Sequence, residues 1–316
     1  MELKVAKHAG FCFGVKKAIE VAEEVAQSHK EKTYVLGQLV HNEKVIRNLE
    51  DKGIIFVENI NEIPQNAVTV LRAHGEPGTT YQILEEKSIL KGKNLNDATC
   101  PLVTLVHNVA IKLKNNGYEV IIFGKHNHPE AIGTSYHLRG KNTFIVEHEG
   151  DFMKVIDYIK SNEFEKVAII SQTTMSVFGY KRLIENLNQN FEGKFAEIPL
   201  ALKNLDVKYG FVDTICNPTK QRQSDTDELA KECDIVIVIG GKNSSNSKEL
   251  HAKALEYGVE SYFIQSAEQL QKEWFDGKEK IGVTAGASTP DYLINEAVER
   301  IKEIANAEIP DTAIKI

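Results

Sequence analysis

Three cysteines stand at the same kind of junction in this 316-residue chain, where an extended run ends and a helical pattern begins. They lie in the segments GFCFGV, DATCP and DTICNP. The interval from the cysteine to a first polar loop is nearly constant: 29 residues from Cys12 to His41, 28 from Cys100 to His128 and 28 from Cys216 to Ser244. A second polar loop follows each cysteine after 62, 73 and 72 residues, at His74, Thr173 and Ser288 respectively. The chain is therefore predicted to contain three related repeats.

Within each repeat, short apolar runs typical of buried strands alternate with segments of helical periodicity. Such alternation favours parallel sheets joined by right-handed crossovers. We expect an α/β fold of three similar small parallel-sheet domains around a pseudo-threefold axis with a central cofactor cavity. The predicted domains are residues 13–100, 101–212 and 213–316, the third completed by the N-terminal strand of residues 1–12. The stretch 177–208 is interpreted as an insertion, and a helix is predicted over 268–275.

Charge and hydropathy exclude several classes of partner. The net charge of -7 gives no electrostatic reason to expect nucleic acid or an anionic membrane surface. The longest apolar run, 235–239, is too short to span a bilayer, and the N-terminus lacks the apolar core of a signal peptide. We therefore expect a cytoplasmic protein. Four cysteines in a chain of this length favour reduced thiols or a metal site over a disulfide framework.

A single cysteine is often only a small buried hydrophobic residue, and that interpretation is kept for Cys233, which has no counterpart in the other repeats. Three cysteines at equivalent junctions instead suggest a shared metal or iron-sulfur site, with a cluster or zinc favoured by thiolate softness. If the group is a 4Fe-4S cluster, three protein ligands leave one iron open for chemistry.

The polar loops offer ligands for an anion. His41, His74 and His128 each follow a strand, and the hydroxyl and amide groups of Ser244-Ser245-Asn246 and of Ser288 follow others. Such groups at helix N-termini bind anions through charge-assisted hydrogen bonds. The alternative for each histidine is a structural role, and the alternative for Ser288-Thr289-Pro290-Asp291 is a helix N-cap.

Glu130 is the only carboxylate in the six polar loops, and beside an anion and a metal it is the natural proton donor. A solvated surface glutamate is the alternative. Thr173 and Thr174 are candidates to bind a substrate hydroxyl, or they cap the following turn.

The motifs GFCFGV, LVHN, RAHG, DATCP, HNHPE, SQTT, DTIC, KNSSNS and TAGAS together resemble the 4-hydroxy-3-methylbut-2-enyl diphosphate reductase family. They run from residue 10 to residue 288, so the resemblance covers nearly the whole chain. It implies one 4Fe-4S cluster per subunit on Cys12, Cys100 and Cys216, with one open iron. It also implies a diphosphate substrate held by His41, His74, His128, Thr173, Ser244, Ser245, Asn246 and Ser288. Catalysis is assigned to Glu130, Thr173 and His128.

The implied reaction is the reductive dehydroxylation of (E)-4-hydroxy-3-methylbut-2-enyl diphosphate to isopentenyl and dimethylallyl diphosphate, the last step of the non-mevalonate isoprenoid pathway. It consumes two electrons and two protons, and the expected donor is a ferredoxin or flavodoxin. Pro218, where the family has a small residue, and the long insertion are the visible departures. The rival hypotheses are a zinc hydrolase using the three histidines with Glu130, and a cluster carrier or redox sensor that converts no substrate.

Overall fold

The computed structural model describes residues 1–192, 194–202 and 205–306. The strands are β1 (Glu2–Val5), β2 (Thr33–Leu36), β3 (Ile54–Val57), β4 (Val68–Leu71), β5 (Leu95–Asp97), β6 (Tyr118–Phe123), β7 (Ile145–Val146), β8 (Lys166–Ser171), β9 (Phe195–Glu197), β10 (Tyr209–Phe211), β11 (Ile235–Ile239), β12 (Glu260–Ile264) and β13 (Lys280–Ala285). The helices are α1 (Phe13–Ser28), α2 (Glu43–Asp51), α3 (Gly78–Glu86), α4 (Pro101–Asn115), α5 (Pro129–Tyr136), α6 (Phe152–Ser161), α7 (Val177–Asn190), α8 (Asn217–Glu232), α9 (Ser245–Glu256) and α10 (Asp291–Ala305).

The described strands form three parallel sheets with the orders β3-β2-β4-β5, β7-β6-β8-β10-β9 and β12-β11-β13-β1. The predicted α/β class with parallel sheets is therefore confirmed. In each sheet the strand that leads into a cysteine pairs with the strand that ends at the second polar loop. For the N-terminal strand this means pairing with β13, in a register that places Leu3 beside Ile281.

One backbone hydrogen bond recurs in all three sheets. The residue directly after β2, β6 or β11 is a glycine, and its N–H donates to the last carbonyl of the adjacent edge strand. The three bonds are Gly37 to Val57 (2.7 Å), Gly124 to Val146 (2.9 Å) and Gly240 to Ile264 (2.9 Å). The first polar loop of each repeat thus leaves its sheet by the same route, which makes positions in these loops comparable.

The chain divides into two compact units, one comprising residues 1–16, 40–51 and 217–316 and the other residues 17–39 and 52–216. The first, here the β13 unit, contains the sheet β12-β11-β13-β1, whose core includes Leu3, Ile237, Val283 and Ile294. The second, here the β8 unit, contains the other two sheets, with Ile121, Val167 and Leu183 in one core. The three predicted domain boundaries stay a prediction.

Two local expectations need correction. The predicted helix over 268–275 is a pair of 3-10 turns, Ala267–Gln269 and Lys272–Phe275, because Leu270 and Gln271 between them have extended backbone. This break lets both Leu270 and Phe275 bury their side chains. The stretch 177–208 begins with α7, which corresponds in position to α3 and α10, and continues with β9, the extra edge strand of the middle sheet. Among the described residues, no helix has both the length and the apolar character needed to cross a bilayer.

Candidate active site

Each of the three repeated cysteines directly precedes a helix, as predicted: Cys12 precedes α1, Cys100 is the N-cap of α4 and Cys216 precedes α8. The side chains of all three are partly exposed. Cys233 is different, since burial raises its pKa to about 11 and keeps it a neutral thiol. Whether the three thiols share one cofactor stays a prediction.

The backbone N–H of each repeated cysteine donates to the second residue after a strand. Cys100 donates to Ala73 after β4 (2.9 Å), Cys216 to Thr173 after β8 (3.1 Å) and Cys12 to Ala287 after β13 (3.2 Å). The intervals in the sequence aligned Thr173 with His74 and Ser288. The hydrogen bonds correct this alignment by one residue, because Thr174 is the position that corresponds to them.

The loop that carries Cys12 is fixed by a buried arginine that the sequence analysis missed. Arg222 is 4% exposed and donates from Nη2 to the carbonyl of Gly10 (2.5 Å) and from Nη1 to that of Pro218 (2.8 Å). Gly10 itself has φ of +93°, and a Cβ there would lie 3.0 Å from the side chains of Asp291 and Ile294. The approach to Cys12 therefore has little conformational freedom.

In the β8 unit, His128 is the N-cap of α5 and its Nδ1 accepts a hydrogen bond from the N–H of Glu130 (3.2 Å). An Nδ1 that accepts carries no proton, so in the neutral imidazole the proton is on Nε2. The His128 ring also contacts that of His74, with an edge-to-face geometry and a centroid separation of 5.4 Å. The structure thus brings two of the predicted histidines together, beside the predicted carboxylate.

Glu130 is 1% exposed, so the solvated alternative is wrong. Its Oε1 accepts from the N–H of Thr173 and its Oε2 from Thr173 Oγ1, both at 2.7 Å. These bonds favour the carboxylate, but loss of hydration favours the neutral acid and is the larger effect, raising the pKa of Glu130 from 4.5 to about 7. A glutamate with this pKa can give or take a proton near neutral pH.

Gln172 connects the loop of His128 and Glu130 to the loop of Thr173, and the sequence analysis gave it no role. Its Oε1 accepts from the N–H of Lys125 (3.0 Å) and its Nε2 donates to Thr174 Oγ1 (3.0 Å). The side chain is 1% exposed. The sequence feature that could have indicated a role for Gln172 is its position in the SQTT motif. Thr174 does not cap α7, whose N-cap is Ser176.

His107 packs against the His74 loop and is a third residue that had no predicted role. A Cβ at Gly75 would lie 2.8 Å from the His107 ring, and one at Gly133 in α5 would lie 3.6 Å from it. Burial lowers the pKa of His107 to about 4, so the ring is neutral at physiological pH. A neutral, buried imidazole therefore packs between the His74 turn and α5.

In the β13 unit, Ser244 is the N-cap of α9, and Ser245 and Asn246 are its first two residues. The Asn246 Oδ1 accepts from the N–H of Ala287 (2.9 Å), which directs the amide nitrogen away from that bond. Asn246 Nδ2 and Ser245 Oγ are both buried and, among the described residues, have no hydrogen-bond partner. Buried polar atoms without partners are costly. Together with the helix N-terminus they form a set of donors that suits an anion.

Ser288 lies in the same unit and donates from Oγ to the carbonyl of His41 (3.1 Å). Gly241 packs directly against this carbonyl, so a Cβ at position 241 would overlap it. The N-cap interpretation of 288–291 is wrong, because Pro290 is the N-cap of α10 and no side chain caps the helix. Thr289 Oγ1 instead donates to the carbonyl of Ile239 (3.0 Å). The Ser288 hydroxyl thus holds the backbone of His41 in place.

Comparison with known proteins identifies the family. The sequence profile of the LytB protein family matches residues 3–302. Curated relatives named 4-hydroxy-3-methylbut-2-enyl diphosphate reductase include one from Aquifex aeolicus, 36% identical over 98% of this chain and 99% of the relative. Another, from a Nitratiruptor species, is 39% identical over 96% of this chain and 99% of the relative.

A solved structure of the E-1-hydroxy-2-methyl-but-2-enyl-4-diphosphate reductase from Plasmodium falciparum matches with a TM-score of 0.84 and 28% identity, covering 100% of this chain and 93% of that one. Both the profile and the relatives span nearly the full length, so the likeness is not confined to a single domain or motif. The chain therefore belongs to the LytB protein family, and the relatives named above are reductases.

Proposed function

We propose that this oxidoreductase converts (E)-4-hydroxy-3-methylbut-2-enyl diphosphate to isopentenyl and dimethylallyl diphosphate, the last step of the non-mevalonate isoprenoid pathway. The names of its relatives support the substrate class. The observation that carries the proposal is the buried Glu130, doubly bonded to Thr173, with a pKa raised to about 7. Removal of a hydroxyl group as water requires such an acid near neutral pH.

The diphosphate is assigned to the N-terminus of α9. Ser244, Ser245 and Asn246 present hydroxyl and amide donors there, and two of these donors are buried without a partner among the described residues. We assign His41, His74, His128, Thr173 and Ser288 to the same ligand, since each lies in a loop that follows a strand. Hydroxyl, amide and imidazole donors together with a helix dipole can hold a polyanion without a lysine clamp.

Cys12, Cys100 and Cys216 would hold a 4Fe-4S cluster, one per subunit. The donor set fits, since three partly exposed cysteines, whose soft sulfur atoms suit an iron-sulfur cluster, each lie at the start of a helix. Such a cluster would pass on the two electrons from an external donor one at a time, and its iron without a cysteine would offer a site for the substrate hydroxyl. A ferredoxin or flavodoxin is the proposed donor, and the proposed location is the cytoplasm.

The chain's own groups supply orientation and protons. With its diphosphate held at α9, the substrate is oriented by neutral donors, and the protonated Glu130 delivers a proton to the departing oxygen, with Thr173 Oγ1 as relay. The carbon-oxygen bond breaks, water leaves, and the two electrons with a second proton complete a carbon-hydrogen bond. His128, whose Nδ1 accepts from the Glu130 N–H, would donate a hydrogen bond from Nε2 to the substrate.

Anaerobic purification followed by turnover tests this proposal. The protein should be brown, contain iron and sulfide, and form both diphosphate products when substrate and a reduced viologen dye are added. Cys100→Ser should lose iron, whereas the matched Cys233→Ser should keep it, because Cys233 is a buried neutral thiol. A colourless zinc protein that releases phosphate would favour a hydrolase instead, and cluster binding without product would favour a carrier.

A further inference from the structure

Ser247, in the first turn of α9, is fully buried and lies against two glycines of neighbouring loops. A Cβ on Gly240 or on Gly286 would overlap the Ser247 hydroxyl. Gly240 directly follows the β11 strand, and Gly286 directly follows β13. Both loops are therefore shaped around this one side chain, which has no role in the proposed mechanism.

The side chain and the backbone N–H of Ser247 both donate a hydrogen bond to the same atom, Ser244 Oγ. Ser247 Oγ donates to Ser244 Oγ (2.9 Å), and the N–H of Ser247 donates to the same oxygen (3.2 Å). A serine hydroxyl has two acceptor lone pairs and one proton. With both lone pairs occupied, Ser244 can form a further hydrogen bond only by donating.

We propose that Ser247 is a positioning residue for anion binding, which fixes the Ser244 hydroxyl as a donor toward the substrate diphosphate. The inference rests on the proposed function and extends it by one residue. An unconstrained hydroxyl can turn a lone pair toward an anion, whereas this one cannot. The side chain of Asn246 is oriented in a similar way, because its Oδ1 accepts from the Ala287 N–H and its amide nitrogen remains to donate. The N-terminus of α9 therefore presents hydrogen-bond donors.

This polarity also predicts specificity for anionic oxygen. A site whose hydroxyl is committed to donating binds phosphate oxygens, which only accept, and disfavours a ligand that itself donates. We expect inorganic diphosphate to bind this site, and we expect diphosphate binding to weaken when the direction of the Ser244 hydroxyl is released.

A double-mutant cycle on the cluster-loaded protein tests the inference, with inorganic diphosphate binding measured by anaerobic calorimetry. Ser244→Ala should weaken binding about 10- to 100-fold, as expected for a hydrogen bond to a charged group. Ser247→Ala should weaken it about 3- to 10-fold, since the hydroxyl remains but its direction is released. In the Ser244→Ala background, Ser247→Ala should have no further effect, because it acts through Ser244.

Ser261→Ala is the matched control: its hydroxyl donates to the carbonyl of Val236 in the same sheet (2.9 Å), and its loss should leave diphosphate affinity unchanged. Additive losses in the double variant, or wild-type affinity in Ser247→Ala, would overturn the role of Ser247 and leave the proposed function standing. Failure of Ser244→Ala to weaken binding would overturn the diphosphate assignment itself, and with it the inference.

Discussion

The loops that begin α5 and α9 have the same backbone plan and opposite chemistry. Each leaves its sheet at a glycine bonded to the edge strand, and the fifth residue after the strand is a helix N-cap: His128 after β6 and Ser244 after β11. The α5 loop places a titratable carboxylate, Glu130, at the second position of its helix. The α9 loop places Asn246 there, a neutral amide.

This difference shows how a repeated fold can separate two tasks. Burial at the α5 loop makes the charge of Glu130 adjustable near neutral pH, which suits proton transfer. Burial at the α9 loop fixes the direction of groups that cannot change charge, which suits steady binding of an anion. Variants at the two equivalent positions should therefore change different parameters, kcat at one loop and KM at the other.

The largest effect is expected at the α5 loop. Glu130→Gln keeps the side-chain size and one oxygen acceptor but removes the transferable proton, so kcat should fall about 100- to 10,000-fold. Anaerobic turnover with a reduced viologen dye measures the change, and the absorption spectrum of the cluster should be unaltered. Glu147→Gln is the control, because Glu147 is partly exposed and accepts a hydrogen bond from the N–H of His126. Retained turnover in Glu130→Gln would remove the contrast between the loops.

The same carboxylate should govern how stability depends on pH. The folded pKa of Glu130 is about 7 and its ordinary value is 4.5, so folding favours the protonated form. That stabilisation is complete below pH 4.5 and is lost as the pH rises through 7, by on the order of 3 kcal/mol. Glu130→Gln lacks this dependence. Thermal melts should therefore show the variant gaining stability relative to the native chain between about pH 5 and 8, and parallel curves would show that Glu130 titrates normally.

Much of this arrangement could be predicted from the sequence, because it depends on spacing. Nearly constant intervals from each cysteine to the next polar loop predicted three related repeats, and the alternation of strands with helices within each repeat predicted the parallel sheets. The predicted pairing of the N-terminal strand follows from the same regularity. Spacing alone misaligned Thr173 by one residue, because the interval from the cysteine to the second polar loop differs between the repeats.

Burial and hydrogen-bond direction could not be predicted. The sequence of residues 126–130 is equally consistent with a solvated loop, whereas Glu130 is buried and accepts hydrogen bonds from Thr173, 43 residues away along the chain. Arg222 lies outside the quoted motifs, and Ser247 ends the KNSSNS motif without a predicted role. The importance of each lies in the carbonyl or hydroxyl to which it donates. Such pairings depend on tertiary contacts that no local pattern encodes.

At the α9 loop the equivalent change is Asn246→Asp. The Oδ1 acceptor for Ala287 is kept, but the donor is replaced by a negatively charged oxygen facing the proposed anion. We expect KM to rise about 10- to 100-fold with a smaller change in kcat, because a donor to a charged group is lost and repulsion is added. Steady-state kinetics and calorimetry with inorganic diphosphate measure this. A fall in kcat with an unchanged KM would mean that the two loops do not divide their tasks.

The smallest effect should come from the side chain that connects the α5 loop to its neighbour. Gln172→Leu removes the acceptor for Lys125 and the donor to Thr174, so the His128 loop loses its tie to the Thr173 loop. We expect kcat to fall about 2- to 10-fold with little change in KM, because one or two neutral hydrogen bonds are lost.

Gln172→Glu separates position from charge. It keeps the oxygen that accepts from Lys125, so the loop should stay in place, while its negative charge next to Thr173 should raise the pKa of Glu130 further. Because Glu130 acts in its protonated form, the alkaline limb of the kcat profile should then move to higher pH in Gln172→Glu but not in Gln172→Leu. Identical profiles would show that Gln172 acts only by packing. A shift confined to Gln172→Glu would show that a nearby charge sets the pKa of Glu130 in the α5 loop. The α9 loop cannot respond in this way, because Ser244, Ser245 and Asn246 have no titratable side chain.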